Sequence, residues 1–265
     1  MGRLDGKIAL VTGASSGIGR EITRLLAADG VDLVLVARNR GRLMELAEAL
    51  QAEHHVAVRI EPTDLSEPNA AARLWRELAA AGVAIDILVN NAGYGVYGAV
   101  NDQDAAALEK MLQVNVVALT SLARLALPGM RARRWGRILN VGSVVGYQPG
   151  GPGMAGYYAS KAYVMSFSKS LARELDGSGA SVTLLAPGVT ESSFEERSGA
   201  GNTRLYKLGP KMTAAAVARA GYEGMKRGST VVIPGLWNKL IAFAGELPPR
   251  RIALAVNRWL LEAYS

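Results

Sequence analysis

The chain has 265 residues, 49% of them hydrophobic and 20% charged, a balance that excludes the disordered, collagen-like and disulfide-scaffold classes. Its 30 basic and 23 acidic residues leave a net charge of +7, suited to an anionic ligand, a nucleic acid or a membrane surface. The basic residues are scattered, however, with dense clusters only at Arg38-Asn39-Arg40-Gly41-Arg42 and Arg131-Ala132-Arg133-Arg134, and no nucleic-acid recognition motif accompanies them. Having no cysteine removes disulfides, thiol nucleophiles and Cys-ligated metals. The start, Met1-Gly2-Arg3-Leu4-Asp5-Gly6, lacks the apolar region of a signal peptide, and a cytoplasmic protein is expected.

Apolar runs of strand length fall at residues 8–11, 31–37, 56–60, 85–89, 137–141, 182–186 and 230–233. They are nearly continuous in Val, Ile and Leu, as strands of a parallel sheet covered on both faces would be. The segments between them carry helical spacing: Leu43, Leu46, Ala47 and Leu50 share a face, as do Leu74, Leu78 and Ala81. This alternation predicts an α/β fold, a single-domain doubly wound (Rossmann-type) parallel sheet of about seven strands with helices on both faces. Residues 191–212 break the rhythm with a polar, Gly-containing stretch, expected to be a lid at about 190–212. From about 236 to 265 the tail mixes Trp237, Leu240, Ile241, Phe243, Ile252, Leu254, Val256, Trp259 and Leu260 with Lys239, Arg250, Arg251 and Arg258 around Pro248-Pro249. That pattern suits a helix on an anionic membrane. It equally suits a helix packed over a ligand cleft or another subunit, the commoner outcome and the one expected here.

The first strand runs into Thr12-Gly13-Ala14-Ser15-Ser16-Gly17-Ile18-Gly19, followed by a helix with Ile22, Leu25 and Leu26 on its apolar face. In that context Gly13 permits a tight turn, Gly17 lets backbone approach a diphosphate, and Gly19 permits close helix–strand packing. The spacing is G-x-x-x-G-x-G rather than the common G-x-G-x-x-G. Gly13-Ala14-Ser15-Ser16-Gly17 also fits the G-x-S-x-G nucleophile elbow of hydrolases. The histidines that such a triad would need are only His54 and His55, just before the third strand, which argues against it. The second strand ends in Ala37-Arg38-Asn39. With no carboxylate to repel a 2′-phosphate and a guanidinium to hold one, NADP(H) is expected over NAD(H), which stays possible.

Tyr157-Tyr158-Ala159-Ser160-Lys161 opens the helical stretch 162–175, placing a tyrosine and a lysine one turn apart. A nearby ammonium and a bound nicotinamide would lower the phenol toward working pH, making a general acid. Spacing alone leaves Tyr157 and Tyr158 both open. Ser143 follows the fifth strand at the carboxyl edge of the sheet, where ligands of open α/β folds bind. Asn115 is polar within an apolar helical run, where its amide needs a partner.

With these residues in order, the sequence resembles the short-chain dehydrogenase/reductase family over almost its whole length. Residues 12–19 look like that family's cofactor turn, Asn90-Asn91-Ala92-Gly93 like its sheet-stabilising motif, and Asn115, Ser143, Tyr157 and Lys161 like its catalytic tetrad. The pattern Y-x-A-S-K selects Tyr157. The resemblance implies cofactor contacts from Gly13, Ser15, Ser16, Gly17, Ile18, Gly19, Arg38 and Asn39, and from Asp64 and Leu65 at the adenine. It adds Asn91, Ala92 and Gly93, then Tyr157 and Lys161, then Pro187, Gly188, Thr190 and Ser192, the last two at the nicotinamide amide. Ser192 stands where the family often has threonine. Ser143 would bind the carbonyl oxygen, Tyr157 would protonate it, Lys161 would hold the ribose and lower the Tyr157 pKa, and Asn115 would position a water. No metal is implied.

The function expected is an NADP(H)-dependent carbonyl reductase or secondary-alcohol dehydrogenase. Val144, Val145, Tyr147, Met154, Phe194, Leu205, Tyr206 and Leu208, with Tyr94 and Tyr97 beside them, suggest an apolar ketone, aldehyde or alcohol as substrate. The alternatives are an NAD(H)-dependent alcohol dehydrogenase and a non-catalytic dinucleotide-binding sensor or scaffold. The resemblance also implies a homodimer or homotetramer through the helices bearing Asn115 and Tyr157.

Overall fold

The computed structural model describes residues 4–192, 194–247 and 249–264. Its centre is a parallel sheet of seven strands in the order β3-β2-β1-β4-β5-β6-β9. These are β1 (Ile8–Thr12), β2 (Asp32–Ala37), β3 (Val58–Pro62), β4 (Ile87–Asn90), β5 (Gly136–Val141), β6 (Ala180–Leu185) and β9 (Val231–Val232). Side chains alternate across a strand, and both faces are apolar. Ala9 and Val11 of β1, Leu33 and Leu35 of β2, and Ile87 and Val89 of β4 enter one core. Leu10, Val34, Val36 and Leu88 enter the other.

Helices α1 (Gly17–Ala28), α2 (Arg40–His54) and α9 (Ala214–Lys226) close the first core with Ile22, Leu26, Leu43, Leu50 and Tyr222. On the opposite face α3 (Ala70–Ala80), α5 (Leu119–Ala132) and α6 (Ala155–Glu174) supply Leu74, Leu78, Leu122, Ala126 and Leu171. Each buried leucine contributes about 1.5–3 kcal/mol relative to exposure. Ala81 lies just past α3 and is exposed, so it does not extend that helix's apolar face. The run 105–132, comprising α4 (Ala105–Leu112), a π-helical turn (Gln113–Ala118) and α5, is long and apolar enough to cross a membrane. Its Met111, Leu122, Ala123 and Met130 are fully buried, which identifies it as a core helix.

Between β6 and α9 lies the segment expected as a lid. It contains β7 (Thr190–Glu191), α7 (Phe194–Ser198), α8 (Arg204–Leu208) and β8 (Met212–Thr213), with β7 and β8 paired in parallel. After β9 come α10 (Leu236–Glu246) and α11 (Arg250–Leu261).

Candidate active site

The order of strands reverses between β1 and β4, and such a switch point opens a crevice at the carboxyl ends of the strands. Thr12 pins that point. Its hydroxyl donates to Val89 O at 3.2 Å and accepts from Asn91 N and Ala92 N, both at 3.0 Å. The chain then turns through Gly13 (φ +65°) and Gly17 (φ +55°), conformations that cost glycine little. The Asn91 amide donates to Thr12 O at 2.9 Å and Gly13 O at 3.2 Å, and a Cβ on Gly13 would stand 2.6 Å from its nitrogen. Ser16 then stands extended at the position before α1, its side chain making no capping hydrogen bond, and the first N–H groups of that helix have no partners within it.

Arg38 and Asn39 lie exposed beyond the tip of β2, where Asn39 Oδ1 accepts from Arg42 N at 2.9 Å to cap α2. Across from them sits Asp64, whose Oδ1 accepts from Ser66 N at 2.9 Å and Ser66 Oγ at 2.7 Å. Burial alone would raise the Asp64 carboxyl. The Ser66 hydrogen bonds and the charges of Arg38 and Lys110 nevertheless leave it below its ordinary value. Lys110 lines the same cleft. The sequence offered no signal for it, since it is one lysine on an amphipathic helix.

Asn115 lies within the helical run expected for it, in its π-helical turn; such local widenings recur at functional sites. Its Oδ1 accepts from Tyr94 N at 3.1 Å, and its Nδ2 donates to Tyr94 O at 2.9 Å and Ser160 Oγ at 3.1 Å. Ser160 in turn donates to Tyr157 O at 2.7 Å. The side chain thus ties the loop after β4 to α6, and Ser160 gains a positioning role that the motif alone did not reveal. Gly93 threads between these groups. A Cβ there would meet Asn115 Oδ1 at 3.0 Å and Lys161 Nζ at 3.5 Å.

Ser143, extended at the end of β5, accepts from Val145 N and donates to Pro187 O, both at 3.3 Å. Lys161 is buried and donates to Val141 O at 2.9 Å, with Nζ 5.7 Å from the centre of the Tyr157 ring. Burial pulls its pKa down to about 8. The Tyr157 phenol, buried and 5.2 Å from the Phe194 ring of the lid, is moved the other way. Burial raises it well above 10, and the hydrogen bond with Ser143 offsets only part of the rise. The Lys161 ammonium is itself weakened by burial and turned to a carbonyl, so desolvation prevails at Tyr157; the expected lowering includes the positive charge of a bound nicotinamide. Tyr158 is also buried and raised, but its ring packs on Gly151, where a Cβ would stand 2.4 Å from Tyr158 Cε2.

Because Lys161 falls from 10.5 to about 8 on folding, the folded chain binds fewer protons than the unfolded chain between those values. Stability must therefore rise as pH rises through that window. Between pH 7.0 and about 9.5, urea unfolding should show wild type gaining about 2 kcal/mol more than Lys161→Met, the buried tyrosines that act in the opposite direction being common to both proteins. Parallel profiles for the two proteins would contradict the burial of a charged Lys161.

These groups line one continuous cleft of ≈ 1500 Å³ that runs from Arg38 and Asp64, past the glycine turn, to Ser143, Tyr157 and Lys161. Ser15, Ser16, Ile18, Asn39, Leu65, Ala92, Pro187, Gly188, Thr190 and Ser192 all line it, and Asn115 and Gly19 stand behind its wall. Asn91, through the Gly13 turn it braces, and Gly93 form wall as well. The bare backbone at Gly13 and Gly93 leaves the trough open where a dinucleotide would lie, so the residues fit NAD(P). Among the described residues no group of three His, Asp or Glu side chains is arranged to hold a metal. His54 and His55 lie at the amino end of β3, the opposite edge of the sheet from the glycine turn.

At the far end the wall is formed by Val144, Val145, Met154, Phe194, Leu205, Tyr206 and Leu208, with Tyr94 beside them. Tyr147 and Tyr97 do not line it, contrary to expectation. Tyr147 packs in a core cluster with Ala242 of α10, and Tyr97 donates its hydroxyl to Leu261 O at 2.6 Å; both hold the tail. The tail itself completes the wall with Ile241, Ala244, Ala253, Asn257 and Leu260. Asn257 donates to Gly150 O at 2.7 Å, and Gln148 donates to Ile241 O at 2.8 Å. Asn238 covers Gly188 so closely that a Cβ there would lie 2.1 Å from its Oδ1.

A family model described as short chain dehydrogenase matches residues 7–202. Among solved structures, a short-chain dehydrogenase from Sphingobium yanoikuyae in complex with NADPH is 36% identical with a TM-score of 0.79, covering 90% of this chain and 93% of that one. The bulky-bulky ketone specific alcohol dehydrogenase from Comamonas testosteroni is 34% identical with a TM-score of 0.75, covering 88% and 90%. A 3-oxoacyl acyl-carrier-protein reductase from Vibrio harveyi is 38% identical over 191 residues, 72% of this chain and 76% of the relative.

Proposed function

The chain belongs to the short-chain dehydrogenase/reductase family, NAD(P)-dependent oxidoreductases acting on CH–OH and C=O groups, and from that premise we propose that it is an NADPH-dependent reductase of bulky, apolar ketones. The observation that carries the reading is the meeting, in one cleft, of a buried protonated tyrosine with Ser143 and Lys161 beside a phosphate-sized glycine turn. When bound, the reduced nicotinamide supplies hydride to the carbonyl carbon. Ser143 holds the carbonyl oxygen, and Tyr157 gives it a proton as negative charge develops there. Lys161 holds the nicotinamide ribose hydroxyls, and its charge eases the loss of the Tyr157 proton. Asn115 keeps the widened turn and the Tyr94 loop in register beside Lys161, where a water connects the lysine to solvent. A phenol that titrates well above neutral pH is protonated at rest and so ready to act as the acid of the reductive direction.

Ser15 and Arg38, with Asn39 beside them, take the 2′-phosphate. Asp64 and Leu65 border the adenine, the backbone of 13–19 cradles the diphosphate, and residues 91–93 and 187–188 wall the riboses and ring. Thr190 and Ser192 meet the carboxamide. The apolar far wall, and the bulky ketones named for the Comamonas relative, support the substrate class. A cytoplasmic homo-oligomer is part of the proposal: Leu112, Val117 and Tyr163 are exposed apolar residues on the helices that carry Asn115 and Tyr157.

The test is consumption of NADPH and of NADH across ketones graded from small and polar to large and apolar. NADPH turnover that climbs with apolar bulk is expected. If NADPH binds but neither cofactor is consumed with any ketone, the sensor alternative replaces the enzyme.

A further inference from the structure

The tail was expected to cover the cleft or a subunit, and its inner faces do cover the cleft. Its outer faces are apolar as well. On α10, Asn238, Ala242 and Gly245 are buried against the body, whereas Leu236, Leu240 and Phe243 point away from it with exposures of 75%, 51% and 62%. On α11, Asn257 and Leu261 are buried, and Ile252, Val256 and Trp259 are exposed. An apolar surface of this kind on a soluble body marks an interaction site.

Three features identify what it meets. First, the exposed cations Lys239, Arg250, Arg251 and Arg258 flank the apolar residues and outnumber the tail's two carboxylate side chains, Glu246 at the end of α10 and Glu262, which is engaged by Arg204. Two copies pressed together through this face would set like charges against each other, whereas an anionic bilayer would neutralise them. Second, tryptophan, phenylalanine and leucine on one face with lysine and arginine beside it are the composition of helices that lie in a lipid interface. Third, Leu208, Trp237, Leu247, Ile252 and Val256 are exposed and also line the cleft. The apolar surface therefore continues into the substrate end of the site.

We propose that α10 and α11 form a docking surface for an anionic phospholipid bilayer, seating the mouth of the cleft against the acyl chains. Leu240 and Phe243 enter the hydrocarbon edge, and the arginines of α11 meet the headgroups. If the ketone reading holds, on which this consequence rests, an apolar substrate passes from the lipid into the cleft without crossing water.

The experiment is cosedimentation of the full chain with vesicles of phosphatidylcholine alone or with about one third phosphatidylglycerol, without substrate. Wild type should bind the anionic vesicles at least roughly tenfold more tightly than the neutral ones. Leu240→Glu/Phe243→Glu and, separately, Arg251→Glu/Arg258→Glu should each weaken that binding by tenfold or more. None of these four residues lines the cleft, so NADPH binding and turnover of a water-soluble ketone should stay at wild-type levels and report intact folding. Absence of wild-type binding to anionic vesicles overturns the proposal. So does a smaller oligomer, by sedimentation equilibrium, in the Leu240→Glu/Phe243→Glu protein, because a second copy would then be the occupant. Failure of the reductase reading would appear separately, as vesicle binding without turnover of any ketone.

Discussion

Tyr157→Phe should lower kcat for ketone reduction by about 10²–10⁴-fold, the range for loss of a positioned general acid, and should leave NADPH binding nearly unchanged. In the proposed mechanism the phenol protonates the carbonyl oxygen: Tyr157 is buried and lines the cleft with Ser143, and burial keeps its pKa above the ordinary tyrosine value. Removing the hydroxyl leaves the ring against Phe194, so packing survives, and a lost hydrogen bond costs only about 1 kcal/mol of stability. The loss should therefore fall on kcat rather than on cofactor affinity or folding, as for an interaction made only when charge develops. Tyr158→Phe is the control. Its ring lies against Gly151, and the variant should keep most of its activity. Isothermal titration with NADPH, thermal melting and steady-state rates on the three proteins check the prediction; loss of turnover in Tyr158→Phe but not in Tyr157→Phe would exchange the two assignments.

Arg38→Asp should invert cofactor choice, moving the NADPH/NADH ratio of kcat/KM by about 10²–10³-fold toward NADH. A guanidinium on a phosphate is worth about 1.5–3 kcal/mol, and an introduced carboxylate both repels the 2′-phosphate and accepts a hydrogen bond from a 2′-hydroxyl. Arg38 is exposed on the bend after β2, so the fold should tolerate the change. Arg42 also lines this end of the cleft and leaves one positive charge behind, so Arg38→Ala should shift the ratio less than Arg38→Asp. The comparison needs only initial rates with each coenzyme at matched ketone. An unchanged ratio in Arg38→Asp would remove Arg38 from the phosphate site.

Much of this arrangement was legible in the chain because it follows from local chemistry. Short runs rich in β-branched residues, such as Ile87-Leu88-Val89, read as strands buried on both faces, and the glycine turn is tied to the strand before it. Strand ends were less legible. The third strand is displaced to 58–62, and the last shrinks to two residues at the sheet edge, where one neighbour and partial burial set the limit rather than apolar content. Helix α6 begins at Ala155, so Tyr157 and Lys161 share its first turns.

What the sequence concealed depends on tertiary contact. The π-helical turn at Asn115 goes with an amide that bonds both Tyr94 and Ser160, contacts across 21 and 45 residues. The ionisation of Tyr157 depends on its burial, with the Phe194 ring packed beside it, which spacing from Lys161 cannot report. Gln148, Asn238 and Asn257 read as ordinary polar residues until the tail is folded back onto the turn after β5 and the loop after β6. Tyr97 and Tyr147 show the converse: aromatic residues close to the cleft in sequence are employed in anchoring the helices that cover it.

The central claim is that hydride passes from NADPH to a ketone while Tyr157 supplies the proton. Its most direct measurement uses NADPH deuterated at C4, prepared separately in each stereochemical form, with a bulky apolar ketone and mass spectrometry of the alcohol. One of the two forms should place a single deuterium on the carbinol carbon in wild type, with product formation falling by the stated factor in Tyr157→Phe. Alcohol without deuterium from either form, or equal yields from the two proteins, would contradict the account.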